Sequence, residues 1–307
     1  MNNSKNKFTV TVGIPAYNEE ANIARTLRAV LSQTHGNFIL ERIVILSDGS
    51  TDKTVEIAKT IGEKNPLVTV FADPRRHGKF FRLSQLYLLN TSDILITLDA
   101  DLLIDDQKFF EKLLWKFRNP EVVIIGANSQ PLPGRTFAEK IFVAGEMWWY
   151  EARKSYQGGG NIYNSTGACF AFRKNFSKQI NIPYGTVNDQ HIIFFETLRL
   201  GKKYCFAHDA LLYYRAPTNF RDFLIHIRRL NRREDLIGEK YAFNAEKEFF
   251  LPRWNKIQAV LKIVFLSPFF GSLSLILHFA FHFITIESDE DTHSSALWEI
   301  PHSTKKI

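Results

Sequence analysis

The feature that most constrains the fold is a repeated alternation of short apolar runs, polar loops and amphipathic helices in the first third of the chain. Four of these runs have the β-branched or mainly apolar pattern of buried strands: Thr9–Val12, Ile43–Leu46, Val68–Phe71 and Asp93–Leu98. Strands that alternate with helices through short connections predict an α/β fold with a mainly parallel sheet. Ligands of such sheets bind outside the carboxyl ends of the strands, so the loops at those ends are the candidate site.

A pair of carboxylates follows the fourth run. Asp99 and Asp101 are one residue apart and are expected to point to the same side of the strand end. Such a pair is costly to bury unless a cation neutralises it. Oxygen ligands suit Mg²⁺ or Mn²⁺, which in turn hold phosphates. The pair therefore indicates a metal site for the diphosphate of an activated donor, and the alternative is two solvated loop aspartates.

Five motifs follow one another along the chain: Val12–Glu20, Ser47–Asp52, Gly78-Lys79, Asp99-Ala100-Asp101 and Asn188-Asp189. In this order they resemble the family 2 glycosyltransferases, which use nucleotide sugars and have the GT-A fold. The motifs lie within roughly the first 230 residues. The resemblance implies a GT-A, Rossmann-like domain and inverting transfer of a sugar to an acceptor.

The resemblance also implies a binding site for the donor nucleotide. In the family the loop after the first strand contacts the nucleobase, which corresponds here to Pro15, Ala16, Tyr17 and Glu19, and Asp48 matches the aspartate that bonds the base or ribose. A tyrosine can stack on a base, and a carboxylate can accept hydrogen bonds from it. Two of these residues have local alternatives. Glu19 is also expected as an acid near a helix start, and Asp48 as a turn or capping residue.

The remaining donor residues concern the phosphates and the metal. Lys79 follows a glycine and can reach a phosphate, although a solvated lysine is an equal alternative. Asp99 is expected to contact the ribose or the metal, and Asp101 is expected to ligate the metal directly. The favoured donor is a UDP-linked sugar with Mg²⁺ or Mn²⁺ as cofactor.

Asp189 is the candidate general base, because the family has a catalytic aspartate at this position. A carboxylate at a helix start is otherwise commonly a cap. Asn188 departs from the acid that is frequent there.

Segment 226–230 falls where processive family members carry Gln-x-x-Arg-Trp, and only Arg229 matches. The missing tryptophan argues for non-processive transfer. Arg229 and its basic neighbours are expected to stabilise the leaving diphosphate or meet lipid phosphates, and the alternative is a solvated charged face.

Residues 263–286 contain no Asp, Glu, Lys or Arg. The run is long enough for one bilayer crossing, with lysines before it and acids after it. It predicts a membrane-associated protein with its catalytic domain in the cytoplasm. A re-entrant or interfacial helix pair and a Phe-rich packed subdomain remain open. The expected division is a catalytic domain at 1–245, a hydrophobic membrane segment at 246–290 and a tail at 291–307.

The composition limits the kinds of partner that the chain is expected to bind. The formal net charge of +7 suits anionic lipid or anionic substrates, or serves solubility alone. No nucleic-acid-binding motif accompanies this charge, so no nucleic-acid partner is expected. Cys169 and Cys205 lie in apolar runs and are expected to be reduced core residues. The polar start of the chain gives no sign of a signal peptide.

The expected function is transfer of one sugar from a nucleotide-diphosphate sugar to a lipid-linked or glycan acceptor. Two alternatives remain. One is a catalytically impaired, membrane-bound protein that binds nucleotide sugars, and the other is a nucleotidyltransferase. The released product separates them, because a nucleotidyltransferase releases pyrophosphate and a glycosyltransferase releases a nucleoside diphosphate.

Overall fold

The computed structural model describes residues 7–180, 189–231, 247–286 and 302–305. Its strands are β1 (Phe8–Ala16), β2 (Phe38–Asp48), β3 (Val68–Asp73), β4 (Ile94–Leu98), β5 (Val122–Pro131), β6 (Cys169–Arg173) and β7 (Lys203–Tyr214). Its α-helices are α1 (Ile23–Leu31), α2 (Thr54–Lys64), α3 (Lys79–Leu89), α4 (Phe109–Trp115), α5 (Phe137–Arg153), α6 (Lys174–Ser177), α7 (Asp189–Arg199), α8 (Phe220–Asn231), α9 (Arg253–Leu266) and α10 (Pro268–Ile286).

The described strands form one sheet in the order β3-β2-β1-β4-β6-β5-β7. β1 pairs in parallel with β2 and β4, β2 with β3, and β5 with β7. β6 runs antiparallel to both β4 and β5. The prediction of a mainly parallel α/β sheet is confirmed. Because β6 is reversed, its amino end lies at the same edge of the sheet as the carboxyl ends of its neighbours; this edge is called the carboxyl edge below.

The sheet is buried on both faces. Alternate residues of a strand point to opposite sides. In β2, Ile43 and Ile45 pack in the cluster that contains residues of α1, α2 and α4. Val44 and Leu46 pack in the cluster that contains residues of α3 and α7. Coverage of both faces explains why the parallel strands read as continuous apolar runs.

The uncharged run at 263–286 does not form one helix. It is divided between α9 and α10 at Ser267 and Pro268, where the proline cannot continue the backbone hydrogen bonding of the preceding helix. Both helices contact α5. Phe270 and Leu273 of α10 pack against the cluster that contains Ala138, Ile141 and Phe142 of α5.

The structure therefore corrects one expectation about the hydrophobic segment. In the part of the chain that is described, no helix combines the length and apolarity needed to cross a membrane. The pair of helices on α5 corresponds to the alternatives of an interfacial pair or a packed subdomain. The predicted boundary at 245 and 246 and the one at 290 and 291 lie outside the described residues, so the domain division stays a prediction.

The two cysteines carry no disulfide. Cys169 is buried in β6, and Cys205 is partly buried in β7. Burial raises the pKa of both thiols, which disfavours their reactive thiolate forms. The expectation of reduced core cysteines is confirmed for these positions.

Candidate active site

The polar segments predicted at the strand ends lie together at the carboxyl edge. Tyr17 follows β1, and Asp48 is the last residue of β2. Lys79 begins α3 after β3, and Asp99 follows β4. The parallel pairing of β3, β2, β1 and β4 brings these positions to one side of the sheet.

Lys79 and Asp99 form an ion pair at this edge. Lys79 Nζ lies 2.6 Å from Asp99 Oδ1 and 2.8 Å from Asp99 Oδ2. The same ammonium is 3.5 Å from the carbonyl oxygen of Gly167, and the Asp99 backbone N–H donates to the Ala168 carbonyl at 3.0 Å. The segment before β6 is thus joined to the carboxylate that follows β4.

Asp189 also lies near Gly167. It is the first residue of α7 and is 5% exposed. Gly167 has φ +74°, and a Cβ built on it would lie 3.8 Å from Asp189 Oδ1. A side chain at Gly167 would be strained by this backbone conformation and would approach Asp189. The structure therefore brings the predicted base to the same place as the Lys79–Asp99 pair.

Negative charge accumulates at Glu19 and Asp101. Burial, followed by the charge of Asp101, raises the pKa of Glu19 to about 7. Burial, followed by the charge of Asp99, raises the pKa of Asp101. Lys305 opposes both shifts, and its Nζ lies 2.6 Å from Glu19 Oε1. Carboxylates whose pKa values are raised by burial and by neighbouring carboxylates favour a nearby cation.

The oxygen donors at this edge fit a divalent ion that its substrate completes. Asp99 and Asp101 supply carboxylate oxygens, and within the described residues no three His, Cys, Asp or Glu side chains form a group that would enclose a metal by themselves. Mg²⁺ and similar ions are commonly held by one or two carboxylates together with substrate phosphates and water. The residues present agree with that kind of site.

Asp48 is occupied by protein partners. Its carboxylate is buried and accepts hydrogen bonds from the backbone N–H groups of His77 and Gly78, each at 2.8 Å. It also accepts from Arg82 Nε at 2.8 Å, and Arg82 is itself buried. These contacts fix the loop that leads to Lys79. Asp48 thus stabilises a loop that is distant in sequence. Its contact with a nucleobase or ribose stays a prediction.

The loops after β1 and β2 hold each other through reciprocal hydrogen bonds. Asn18 Oδ1 accepts from the Thr51 N–H at 2.8 Å, and Glu20 Oε2 accepts from the Lys53 N–H at 3.0 Å. In return, Asp52 Oδ2 accepts from the Glu20 N–H at 3.0 Å. The polar residues of the first two motifs therefore shape the loops, which leaves fewer of them to face a ligand.

Tyr17 contacts a cation with its ring, whereas Pro15 and Ala16 belong to β1. The guanidinium of Arg76 lies 4.1 Å from the centre of the Tyr17 ring, so one face of this ring already has a cation over it. Pro15 and Ala16 end β1 and pair with β2. Ala16 is buried, so any contact it makes with a donor would be through its backbone. Nothing at this loop tests the predicted stacking of a base.

Two predicted positions cannot be placed. Arg229 belongs to the backbone of α8, but its side chain lies outside the described residues. Asn188 also lies outside them. Their roles stay predictions.

Polar side chains near the end of β5 form two separate hydrogen-bonded sets, together called the polar row below. Ser129 is hydrogen-bonded to Thr166 at 3.1 Å. In the other set, Gln130 is hydrogen-bonded to Asn128 at 2.7 Å, and Asn128 to Tyr150 of α5 at 3.3 Å. Glu146 lies one turn before Tyr150 and is hydrogen-bonded to Tyr214, and burial raises the pKa of Glu146. Thr166 adjoins Gly167, and both sets offer donors and acceptors suited to hydroxyl groups.

The sequence analysis missed several residues of this site. Arg76 and Arg82 flank the Gly78-Lys79 motif. Their closeness to this motif in sequence was a local sign that they lie near the site. The polar row had no such signal, because its members come from β5, α5 and the segment before β6. Lys305 is remote in sequence from every motif, and nothing local marks it.

Comparison with known proteins identifies the family. The model of the glycosyl transferase family 2 matches residues 11–180, which is more than half of the chain. The chain belongs to this family. The match begins in β1 and extends past β6, so it contains the motifs that precede Asn188. The family expected from the motifs is confirmed.

Two curated relatives of this family 2 member carry lipid phosphates in their names. Dolichyl-phosphate beta-glucosyltransferase ALG5A of Trichomonas vaginalis is 31% identical over 128 residues, which cover 38% of this chain and 39% of that protein. Undecaprenyl-phosphate 4-deoxy-4-formamido-L-arabinose transferase of Pseudomonas paraeruginosa is 33% identical over 95 residues, which cover 30% and 28%. The chain spans less than half the length of these relatives.

A solved structure supports the fold. The mannosyltransferase PcManGT from Pyrobaculum calidifontis, in complex with GDP-Man and Mn²⁺, superposes with a TM-score of 0.58 at 18% identity. The superposition covers 89% of this chain and 76% of the mannosyltransferase. At this identity the likeness concerns the fold, and the GT-A-like architecture expected from the motifs is confirmed.

Proposed function

We propose that this chain transfers one sugar, with inversion, from a nucleotide-diphosphate sugar to a lipid-linked or glycan acceptor. The observation that carries the proposal is the grouping at the carboxyl edge. Lys79 of the ion pair with Asp99 lies near Gly167, as does Asp189, and Asp101 adjoins Asp99. This grouping supports the proposal of a cation, a diphosphate and a base at one place.

The donor side is supported by the charges that meet there. Lys79 would contact a phosphate as a point charge once a donor competes for its ion pair with Asp99. Asp101 and Asp99 would hold a divalent cation, and a bound cation stabilises negative charge on the departing diphosphate. Tyr17, Glu19 and Asp48 are the proposed contacts of the nucleoside.

The transfer step follows from the position of Asp189. An acceptor hydroxyl oxygen attacks the anomeric carbon from the face opposite the nucleotide, and the bond from that carbon to the phosphate oxygen breaks. Asp189 takes the hydroxyl proton, and the nucleoside diphosphate leaves with the electron pair of the broken bond. Ser129 and Thr166 of the polar row, which lie beside Gly167, would orient the acceptor.

A membrane acceptor is supported by the outer face of α9. Its inner residues Ala259 and Ile263 are 2% exposed, whereas Trp254, Leu261 and Phe265 are 63%, 64% and 83% exposed. The three exposed side chains are separated by seven and four residues, so they form one stripe along the helix. This outer stripe continues to Phe269 at the start of α10.

Charged residues accompany the stripe. Arg253 and Lys256 are exposed on the same helix. Aromatic and aliphatic side chains on one face with nearby cations are the pattern of a helix that lies in a bilayer interface. An extended apolar surface of this kind also marks an interaction site in general. We therefore place the lipid-linked acceptor ahead of a soluble glycan.

One assay tests the proposed activity. The purified chain is incubated with Mn²⁺, a panel of UDP- and GDP-linked sugars and a polyprenyl-phosphate or lipid-extract acceptor. Release of the nucleoside diphosphate and a mass gain of a single sugar on the lipid are expected, with a β-linkage from an α-linked donor. Retained anomeric configuration would contradict inversion, and repeated additions would contradict non-processive transfer.

The same assay separates the alternatives. Pyrophosphate release would identify a nucleotidyltransferase. Donor binding without any release, across the whole panel, would identify a binding protein. The matched inactive control is Asp101→Asn, and exposed Asp105→Asn controls for the loss of a carboxylate from the same loop.

A further inference from the structure

Lys305 reaches the donor loop from a part of the sequence that no motif includes. Its Nζ donates to the backbone carbonyls of Tyr17 and Asn18, the latter at 3.0 Å, and to Glu19 Oε1 at 2.6 Å. An ammonium group has three N–H donors, and these three acceptors account for all of them. Lys305 therefore has no donor left for a phosphate unless it gives up one of these bonds.

The backbone around Lys305 is also attached. Asn22 Nδ2 donates to the Lys305 carbonyl at 2.6 Å. Two residues earlier, the Ser303 N–H donates to Asp222 Oδ2 at 2.8 Å, and Ser303 Oγ accepts from the Thr218 N–H at 3.1 Å. The short 3₁₀ turn His302–Lys305 thus connects the donor loop to the first turn of α8.

The ammonium group of Lys305 lies beside the residues of the proposed donor site. Lys305 Nζ is 5.7 Å from the centre of the Tyr17 ring, beside the carboxylate of Glu19. These are two of the three side chains proposed to meet the nucleoside. The positive charge of Lys305 also lowers the pKa of Asp101, the proposed metal ligand, against the rise that burial causes, so it acts on that carboxylate. A second cation that acts on a metal ligand opposes binding of the metal ion.

We propose that the segment His302–Lys305 is an internal strap that occupies the nucleoside side of the donor site and is displaced when a nucleoside diphosphate binds with its metal. The inference rests on the proposed function, because it takes the carboxyl edge as the donor site. A strap that must leave reduces the fraction of molecules able to bind, and therefore weakens the apparent affinity.

Calorimetric titration with UDP and with GDP, each with Mn²⁺, tests the strap. Lys305→Gln is expected to bind its nucleotide on the order of tenfold more tightly than the unaltered chain. Asp222→Asn, which keeps Lys305 but weakens the hold on Ser303, is expected to shift the affinity in the same direction. Lys203→Gln, which removes one exposed lysine from the start of β7, is the control for net charge.

The outcomes distinguish a failure of the strap from a failure of the proposed function. Unchanged affinity in Lys305→Gln would overturn the strap, and weaker affinity would make Lys305 a ligand of the donor and overturn it as well. If neither protein bound either nucleotide, the proposed donor site itself would fail, together with the inference.

Hydrogen exchange gives a second readout. The Ser303 and Thr218 amides are hydrogen-bonded across the strap, so they should be protected in the free protein and exchange faster once nucleotide and Mn²⁺ are bound. Protection that persists or increases in the bound protein would contradict displacement. Unaltered melting temperature in Lys305→Gln would show that the affinity change does not come from unfolding.

Discussion

At the scale of single residues, Asp101 carries the sharpest electrostatic conflict of the site. Burial and Asp99 raise its pKa, so its ionised form is stabilised only when a cation is near. We expect Asp101→Asn to lower metal-dependent turnover by on the order of 10²-fold or more. Its melting temperature should not fall, because a neutral amide removes repulsion from Asp99. Product release at saturating Mn²⁺ and thermal unfolding are the measurements. Full activity in Asp101→Asn would show that the assignment is wrong.

Asp189 offers a test that depends on the acceptor. An alcohol must lose its proton as it attacks, whereas a lipid phosphate already carries an ionised oxygen at neutral pH. We expect Asp189→Asn to lower kcat by about 10²-fold or more with a hydroxyl acceptor, the usual scale for a lost general base. The loss should be much smaller with a polyprenyl phosphate. Nucleotide affinity should remain close to that of the unaltered chain.

The comparison of the two acceptors supplies its own control for Asp189. Equal losses of rate with both acceptors, together with weaker nucleotide binding, would indicate that Asp189 serves the start of α7 structurally. An unaltered rate with the hydroxyl acceptor would exclude the role of base.

At the scale of elements, α7 contains a histidine that couples its packing to pH. His191 packs edge-on against Phe249, and burial lowers its pKa to about 4 from an ordinary value near 6.5. A lowered pKa in the folded state means that stability is complete above about pH 6.5 and is lost as the pH falls toward 4, because only the unfolded chain then takes up the proton. The loss approaches 1.4 kcal/mol per pH unit in that window, or about 3 kcal/mol in all.

Denaturant unfolding at pH 7, 5.5 and 4.5 checks this coupling. His191→Gln should lose less stability than the unaltered chain between pH 7 and 4.5. His35→Gln removes an exposed imidazole and is the matched control. If the two variants and the unaltered chain had the same pH dependence, the coupling would be excluded.

Elements also show where the sequence was sufficient. The apolar runs predict β1 to β4 and the edge at which their motifs meet, because period, turn residues and short connections are local properties. The uncharged run at 263–286 did not determine whether the segment crosses a membrane or packs on the protein, since an apolar stretch is equally compatible with lipid and with protein neighbours. Its division at Pro268 is a local property, but its packing against the apolar cluster of α5 depends on tertiary structure.

The site shows the same contrast. Asp48 and Asp99 were predicted to lie at the carboxyl ends of strands, and they do. The partners that fix them were not predicted. Arg82 is bound to Asp48 inside the protein, and Lys305 is bound to Glu19. Such partners come from chain segments that only the fold brings together, so no spacing rule identifies them.

At the scale of the whole molecule, the outer stripe of α9 predicts binding to lipid. We expect the triple variant Trp254→Ser, Leu261→Ser and Phe265→Ser to lower partitioning onto anionic vesicles by on the order of tenfold or more, because binding scales with the apolar area placed in the interface. Sedimentation with vesicles of phosphatidylglycerol and phosphatidylcholine measures this.

The control for the stripe is an apolar triple elsewhere on the surface. Ile39→Ser, Leu88→Ser and Leu89→Ser remove side chains that are 45%, 72% and 40% exposed. This control should bind vesicles as the unaltered chain does. Equal partitioning of both triples, or no binding by the unaltered chain, would favour a packed subdomain that has no role at a membrane.

The contact between Lys305 and Tyr17 joins positions that are 288 residues apart. At about 5–20 residues per second, the ribosome completes these two residues roughly 15 to 60 seconds apart. The nucleotide loops are therefore translated well before Lys305 can reach them. Until then their shape has to come from their own bonds, such as those of Asn18 with Thr51 and Glu20 with Lys53. The bonds that shape the donor loop thus lie within a part of the chain that leaves the ribosome early, and Lys305 is added to a loop that already has its form.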